Sequence, residues 1–253
     1  MTCVVCGSML EEQREVLTIC KKRECKKVLE SLVVGDYVVS WLRDKTELAH
    51  IHLMLGYKAF RSQRWKLIAH PSPVYFDNHD DLLGAMISFN ELFKEAHDND
   101  EQLVRRIGEP SYVLIKFILM TAPSLTVIDS PDNCKILAVP NANSQNLVFH
   151  GSSEENWYSI IRNGLKICSG TAWQKHGARY GKGVYLGKIL SVSCGYTGGD
   201  QVIGVYNAEN IISRSGSILV AKDNSCIKLQ YVIIAKNLPV ELQRKIEKCL
   251  KKQ

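Results

Sequence analysis

The run Leu147-Val148-Phe149-His150-Gly151-Ser152 constrains this chain more than any other stretch. Its apolar first half reads as a buried strand, and His150-Gly151 stands at the exit. A helix start follows at once. Ser152-x-x-Glu155 has the pattern of a capping box, in which the serine accepts from one orphan amide and the glutamate reaches back to another. Trp157, Ile160 and Ile161 then mark one helical face, and Gly164 occupies the place of a left-handed residue after the last turn. A histidine is thereby expected between a rigid strand and a rigid helix, beside a glycine.

The glycine-rich stretch Gly177-Ala178-Arg179-Tyr180-Gly181-Lys182-Gly183 invites a phosphate-loop reading and fails it. Gly177 and Gly181 enclose three residues where a P-loop needs four, and Gly183 stands where Ser or Thr is required. No GxGxxG follows a predicted strand and opens a helix, which argues against a Rossmann dinucleotide site. The glycines instead suit a sharp turn into the predicted strand Val184-Tyr185-Leu186.

Taken in order, FHGS (149–152), Trp157, Ile160, NGL (163–165), Gln174, HG (176–177), YGKGVYL (180–186), Ser193 and Tyr196 resemble the catalytic core of the poly(ADP-ribose) polymerase-like ADP-ribosyltransferases, over roughly Asn146 to Lys236. The resemblance implies an α+β ADP-ribosyltransferase fold of two packed, mainly antiparallel sheets with helices. It implies NAD+ as substrate, transfer of ADP-ribose to an acceptor, and chemistry that needs no metal. By position, His150 resembles the histidine that hydrogen-bonds the adenosine ribose of NAD+. Gly151 resembles the residue whose backbone holds the nicotinamide carboxamide, with Ser152 beside it in the cofactor-binding set. Ser193 matches the serine that also grips the carboxamide, and Tyr185 and Tyr196 match two rings flanking the nicotinamide. Such stacking suits a ring that is cationic in NAD+. Lys166 falls where some relatives carry an arginine near the adenosine half.

In the polymer-building relatives a glutamate on the last core strand completes the catalytic set. Here that strand reads Leu229-Gln230-Tyr231-Val232-Ile233-Ile234, and Tyr231 aligns, so the expected set is His150, Tyr185 and Tyr231. Strand alternation is expected to turn Gln230 to the opposite face, and a one-residue slip would exchange the two. Neither is an acid. NAD+ opens through a cation-like sugar and its pyridinium leaves without protonation, so single transfer survives the change. Elongation, which needs a carboxylate to deprotonate a sugar hydroxyl, does not.

The remainder of the chain is read more coarsely. At 253 residues it can bury a full core. Its net charge of +6 is dispersed, so nucleic acid is not indicated, though not excluded. Met1-Thr2-Cys3 opens no signal segment, and the longest apolar run, 112–120, is broken by Lys116 and far short of a bilayer span. Nine cysteines without a secretory signal fit a reducing compartment, cytoplasmic or nuclear.

Cys3-x-x-Cys6 and Cys20-x-x-x-x-Cys25, thirteen residues apart, have the spacing of a structural four-cysteine zinc site; the alternative is four reduced core thiols. Family members numbered six and eight carry a similar stretch ahead of their catalytic domain. A segment like Gly108–Lys116 is found in that subgroup too.

The expected domains are a zinc ribbon over 1–30, a mainly helical region over 31–140 and the catalytic domain over 141–253. Helical patterns run from Cys25 to about Leu55, from Leu82 to Phe93 and from Leu103 to Ile107. His50 and His52, two apart on a helix, point to different faces and do not form a metal pair. Strands are expected at 202–206, 217–221 and 227–235. Leu242, Ile246 and Leu250 mark one face of a docked terminal helix.

Three functions compete: a mono-ADP-ribosyltransferase acting on protein acceptors, itself included; an inactive module that binds NAD+ or ADP-ribose; and a zinc-ribbon adaptor. The cysteine spacing yields a direct expectation. Protein purified without chelator should hold about one zinc per chain by elemental analysis, and content well below that would remove the ribbon.

Overall fold

The computed structural model describes residues 36–69, 76, 78–167, 180–209 and 211–252. Cys3, Cys6, Cys20 and Cys25 lie outside the described residues, so the zinc expectation is not addressed by it; among the described residues no cluster could hold a metal ion. The chain divides into two compact units, 1–123 and 124–253.

The described part of the first unit is helical: α1 (Tyr37–Asp44), α2 (Thr46–Arg61), α3 (Trp65–Ile68), α4 (His79–Gly84), α5 (Phe89–Phe93), α6 (Asp100–Ile107) and α7 (Glu109–Met120). The expected helix over 82–93 is thus two short helices. Each start is set by a side chain, Asn78 accepting from the Asp81 amide and Ser88 from the Glu91 amide. His52 is buried and His50 exposed, as their spacing required. The apolar run over 112–120 lies within α7, and no helix among the described residues is long and apolar enough to cross a membrane.

One carboxylate ties this unit together. No side chain of its own caps α1. Its first amides are instead accepted by Asp100 on α6, from Val38 at 3.2 Å and Val39 at 2.8 Å. Tyr112 of α7 donates its hydroxyl to the same carboxylate at 2.6 Å. In return Asp36 accepts the Asp100 amide at 2.9 Å. Burial, with Asp100 adding to it, holds the Tyr112 hydroxyl well above its usual range.

The second unit is an eight-stranded, wholly antiparallel sheet: β1 (Thr126–Ile128), β2 (Cys134–Ala138), β3 (Leu147–Gly151), β4 (Val184–Gly187), β5 (Gln201–Ala208), β6 (Ile212–Ser215), β7 (Ile218–Ala221) and β8 (Ile227–Ala235), in the order β1-β2-β8-β5-β3-β4-β7-β6. β1 and β2 lie upstream of the expected boundary at residue 141, yet β2 pairs with β8 along its whole length. Their short apolar runs carry too little alternation to have been read as strands.

Where two packed sheets were expected, the strands form one antiparallel sheet, narrowed at a single point. Five strands from β1 to β3 and three from β4 to β6 are joined by one residue pair, Phe149 opposite Gly187. Neighbouring residues of β3 serve different cores. Phe149 joins Ile203, Val205, Tyr231, Leu190 and Ile246 on one face, and Val148 joins Val184, Leu186, Tyr206 and Leu219 on the other. The helices α8 (Trp157–Asn163) and α9 (Leu190–Cys194) follow β3 and β4, and the terminal helix α10 (Val240–Leu250) buries Ile246 and Leu250 against the first of these faces.

Asp100→Ala should lower the unfolding free energy by about 3 kcal/mol, since it strands two amides and a hydroxyl in the interior. Asp100→Asn, which keeps an acceptor oxygen, should cost less. Denaturant unfolding of the full chain measures both.

Candidate active site

β3 is fully paired with β5, from Leu147 opposite Asn207 to Gly151 opposite Ile203. On its other side it meets β4 only at Phe149. A continued ladder would set Gly151 against Tyr185, but the strands part before that point. His150 takes up the freed acceptor: its ring Nδ1 donates to the Tyr185 carbonyl at 2.9 Å. A carbonyl can only accept, so Nδ1 carries the hydrogen. Burial lowers the His150 pKa and so favours the neutral ring, while the bond to the Tyr185 carbonyl opposes it in part. Its Nε2 is then an acceptor.

The residue after His150 has to be glycine for a reason of packing. A Cβ on Gly151 would run into the backbone carbonyl oxygen of Ser193. Ser193 lies on α9 (Leu190–Cys194), is 3 % exposed, and sets its hydroxyl beside Gly187, the β4 member of the single joining pair. Tyr196, in the turn after α9, donates its amide to the same Ser193 carbonyl at 3.1 Å and leaves its ring 44 % exposed.

The Tyr185 hydroxyl is engaged locally. It accepts from the Tyr180 amide at 2.7 Å and donates to the Gly181 carbonyl at 2.9 Å, so what Tyr185 offers a ligand is its ring. The Tyr180 ring lies 6.1 Å away, tilted by 39°.

The helix after His150 starts later than the capping-box pattern implies. A 3-10 turn over Glu154–Asn156 precedes α8 (Trp157–Asn163), and no side chain caps either one. The Ser152 hydroxyl accepts from the Asn156 side chain at 2.8 Å, and the Trp157 indole donates to the Ser152 carbonyl at 3.1 Å. The tight turn has diverted the serine from backbone to side chain. Gly164 does end the helix at a positive φ of 72°. Lys166 is exposed just beyond it.

His150, Gly151, Tyr185 and Ser193 are therefore gathered at the seam between β3 and β4. Tyr231 is not. It sits opposite Val205, itself opposite Phe149, and so lies on the face away from His150. Only 1 % of it is exposed, and its hydroxyl meets the Ser144 hydroxyl at 3.0 Å, before β3 begins.

Alternation also fails at Gln230. Val205 pairs with Tyr231 and Tyr206 with Leu229, which leaves Gln230 as the extra residue of a bulge. Its side chain accepts from the Asn143 amide at 2.8 Å. Consecutive residues of β8 thus hold consecutive residues of one loop, an arrangement that period-two reasoning cannot foresee.

Sequence reasoning missed the packing under His150. Gly204, opposite His150, has no room for a Cβ, which would meet Trp157 Cη2 at 2.8 Å and the Tyr206 hydroxyl at 2.9 Å. Trp157 in turn lies edge-on to His150, with ring centroids 6.4 Å apart. The Tyr206 hydroxyl is buried without a hydrogen-bond partner among the described residues, and burial pushes its pKa far up. A glycine inside an otherwise apolar strand was the available signal of such a close approach.

Residues 129–205 match the family described as Poly(ADP-ribose) polymerase catalytic domain. The chain is similar to those polymerases in sequence and in the α+β fold that carries the match. It is 25 % identical to mouse protein mono-ADP-ribosyltransferase PARP8 over 85 % of this chain and 30 % of that protein. It is also 25 % identical to the human protein of that name, over 78 % of this chain and 28 % of that protein. The chain thus spans under a third of the length of these curated relatives.

Tyr206→Phe removes only the stranded hydroxyl. It should leave stability unchanged or raise it by roughly 1 kcal/mol, read as a higher Tm, whereas a lower Tm would mean that the hydroxyl is bonded.

Proposed function

We propose that this chain transfers single ADP-ribose units from NAD+ to protein acceptors, itself included. The observation that carries the reading is the hydrogen bond from His150 Nδ1 to the Tyr185 carbonyl. It turns the ring so that Nε2 can accept from a hydroxyl, which is what holding a ribose requires. Beside it, the Gly151 backbone lies against the Ser193 backbone carbonyl, and the Ser193 hydroxyl stands at Gly187 across the same seam, polar groups that suit a planar carboxamide. The Tyr185 and Tyr196 rings supply aromatic surface for a pyridinium.

In the reaction, the bond between the nicotinamide nitrogen and the ribose breaks with its electron pair leaving on nicotinamide. A nucleophilic acceptor atom bonds the same ribose carbon and gives its proton to solvent or a neighbouring base. The protein's share is to hold both ends of NAD+ and keep competing water away.

Transfer is single because the strand that would supply a carboxylate offers Gln230 and Tyr231, both engaged with the Asn143–Ser144 loop. That same engagement favours the second reading, a module that binds NAD+ or ADP-ribose without turnover. A four-cysteine zinc ribbon over 1–30 remains part of the proposal on its spacing alone.

Incubation with NAD+ followed by intact-mass analysis should show increments of one ADP-ribose, with His150→Ala weakening NAD+ binding by roughly 0.5–1.5 kcal/mol. Ladders of long chains would overturn single transfer. NAD+ affinity without any mass increment would select the binding module.

A further inference from the structure

The helix that carries Ser193 cannot cap itself. The residue before α9 is Ile189, extended at φ −127°, and no side chain from its own segment meets the helix's first amides. An uncapped start inside a protein is a weak point, since those amides have no partner within the helix. Here the partner comes from 57 residues away: the Leu190 amide donates to Glu247 Oε1 of α10 at 3.0 Å. The same carboxylate adds to burial in raising the Cys194 thiol pKa at the other end of α9. A negative group at a helix N-terminus is favoured both as an acceptor and by the helix dipole.

What α9 does makes the cap consequential. It packs on both β3 and β4, across the seam where one residue pair joins them. Its Ser193 carbonyl presses on Gly151, its Ser193 hydroxyl sits at Gly187, and its last turn leads into Tyr196. Glu247 is itself held firmly, half-buried on α10 next to Ile246, which is fully buried.

We infer that Glu247 is a positioning residue for the nicotinamide half of the site: from the terminal helix it holds α9 in the place where Ser193, Gly151 and Tyr196 can act together. This rests on the transferase reading for what occupies the pocket. It predicts a selective effect. Ligands that need α9 should suffer, and ligands that use only the His150 side should not.

The test compares Glu247→Ala and Glu247→Gln in the full chain, using nicotinamide and ADP-ribose as separate probes. Glu247→Ala should weaken nicotinamide binding about fivefold or more, the loss of one helix cap, and leave ADP-ribose affinity within about twofold. Glu247→Gln keeps an acceptor oxygen and should restore most of the nicotinamide affinity. Hydrogen exchange at the Leu190 amide should quicken in the alanine variant and remain slow in the glutamine one.

Equal weakening of both ligands would indicate general loosening and overturn the inference, as would unchanged nicotinamide binding or a glutamine variant as poor as the alanine one. If the unsubstituted protein bound neither ligand, the transferase reading would fall and with it the assignment to the nicotinamide half. Leu190 exchange would then still decide whether Glu247 holds α9.

Discussion

β3 and β4 are held to one another by the pairing of Phe149 with Gly187, and the candidate site exists because the two strands separate after it. A complete ladder would consume the Tyr185 carbonyl and the Gly151 backbone in sheet hydrogen bonds. Parting the strands frees both. His150 takes the carbonyl through its ring, and Gly151 turns toward α9 and Ser193. Local loss of regular pairing is thus the source of the polar groups a ligand can use, while the five-residue register of β3 with β5 keeps the strand itself rigid.

Long-range carboxylates supply the caps that neighbouring sequence does not. Asp100 accepts the first amides of α1 across 61 and 62 residues, and Glu247 accepts the first amide of α9 across 57. Neither helix has a capping side chain of its own. The physical requirement is the same in each case, because the amides at a helix start have no acceptor within the helix. Met from a distance, it also ties elements far apart in sequence, so a local need becomes a tertiary constraint. In the second unit this connects the terminal helix, outside the residues matched to the family, with the helix that carries Ser193.

Gln230 and Tyr231 give the loop before β3 a related anchor. The bulge in β8 sends both side chains to Asn143 and Ser144, so that loop is fastened at two successive residues. The Asn207 side chain adds a third hold through the Gln145 carbonyl at 2.9 Å. The start of β3 is therefore fixed by polar contacts and its end by packing on α9, which leaves His150 little freedom to move along the strand.

Short-range pattern was enough for much of this protein. β3 with His150-Gly151 at its exit, the stop at Gly164, β8 over residues 227–235 and the buried face of α10 all follow from periodicity and turn chemistry, because each depends on residues within a few positions of one another. The motif blocks from Phe149 to Tyr196 likewise carried the family resemblance. Tertiary structure alone decided the rest. It placed β1 and β2 in the sheet by pairing β2 with a strand nearly a hundred residues later, and it inserted the bulge that cancels alternation at Gln230. It also turned Tyr231 away from His150 and brought Glu247 to Leu190. Those outcomes depend on which partner a backbone or carboxylate meets across the fold, and no local spacing of residue types encodes that meeting.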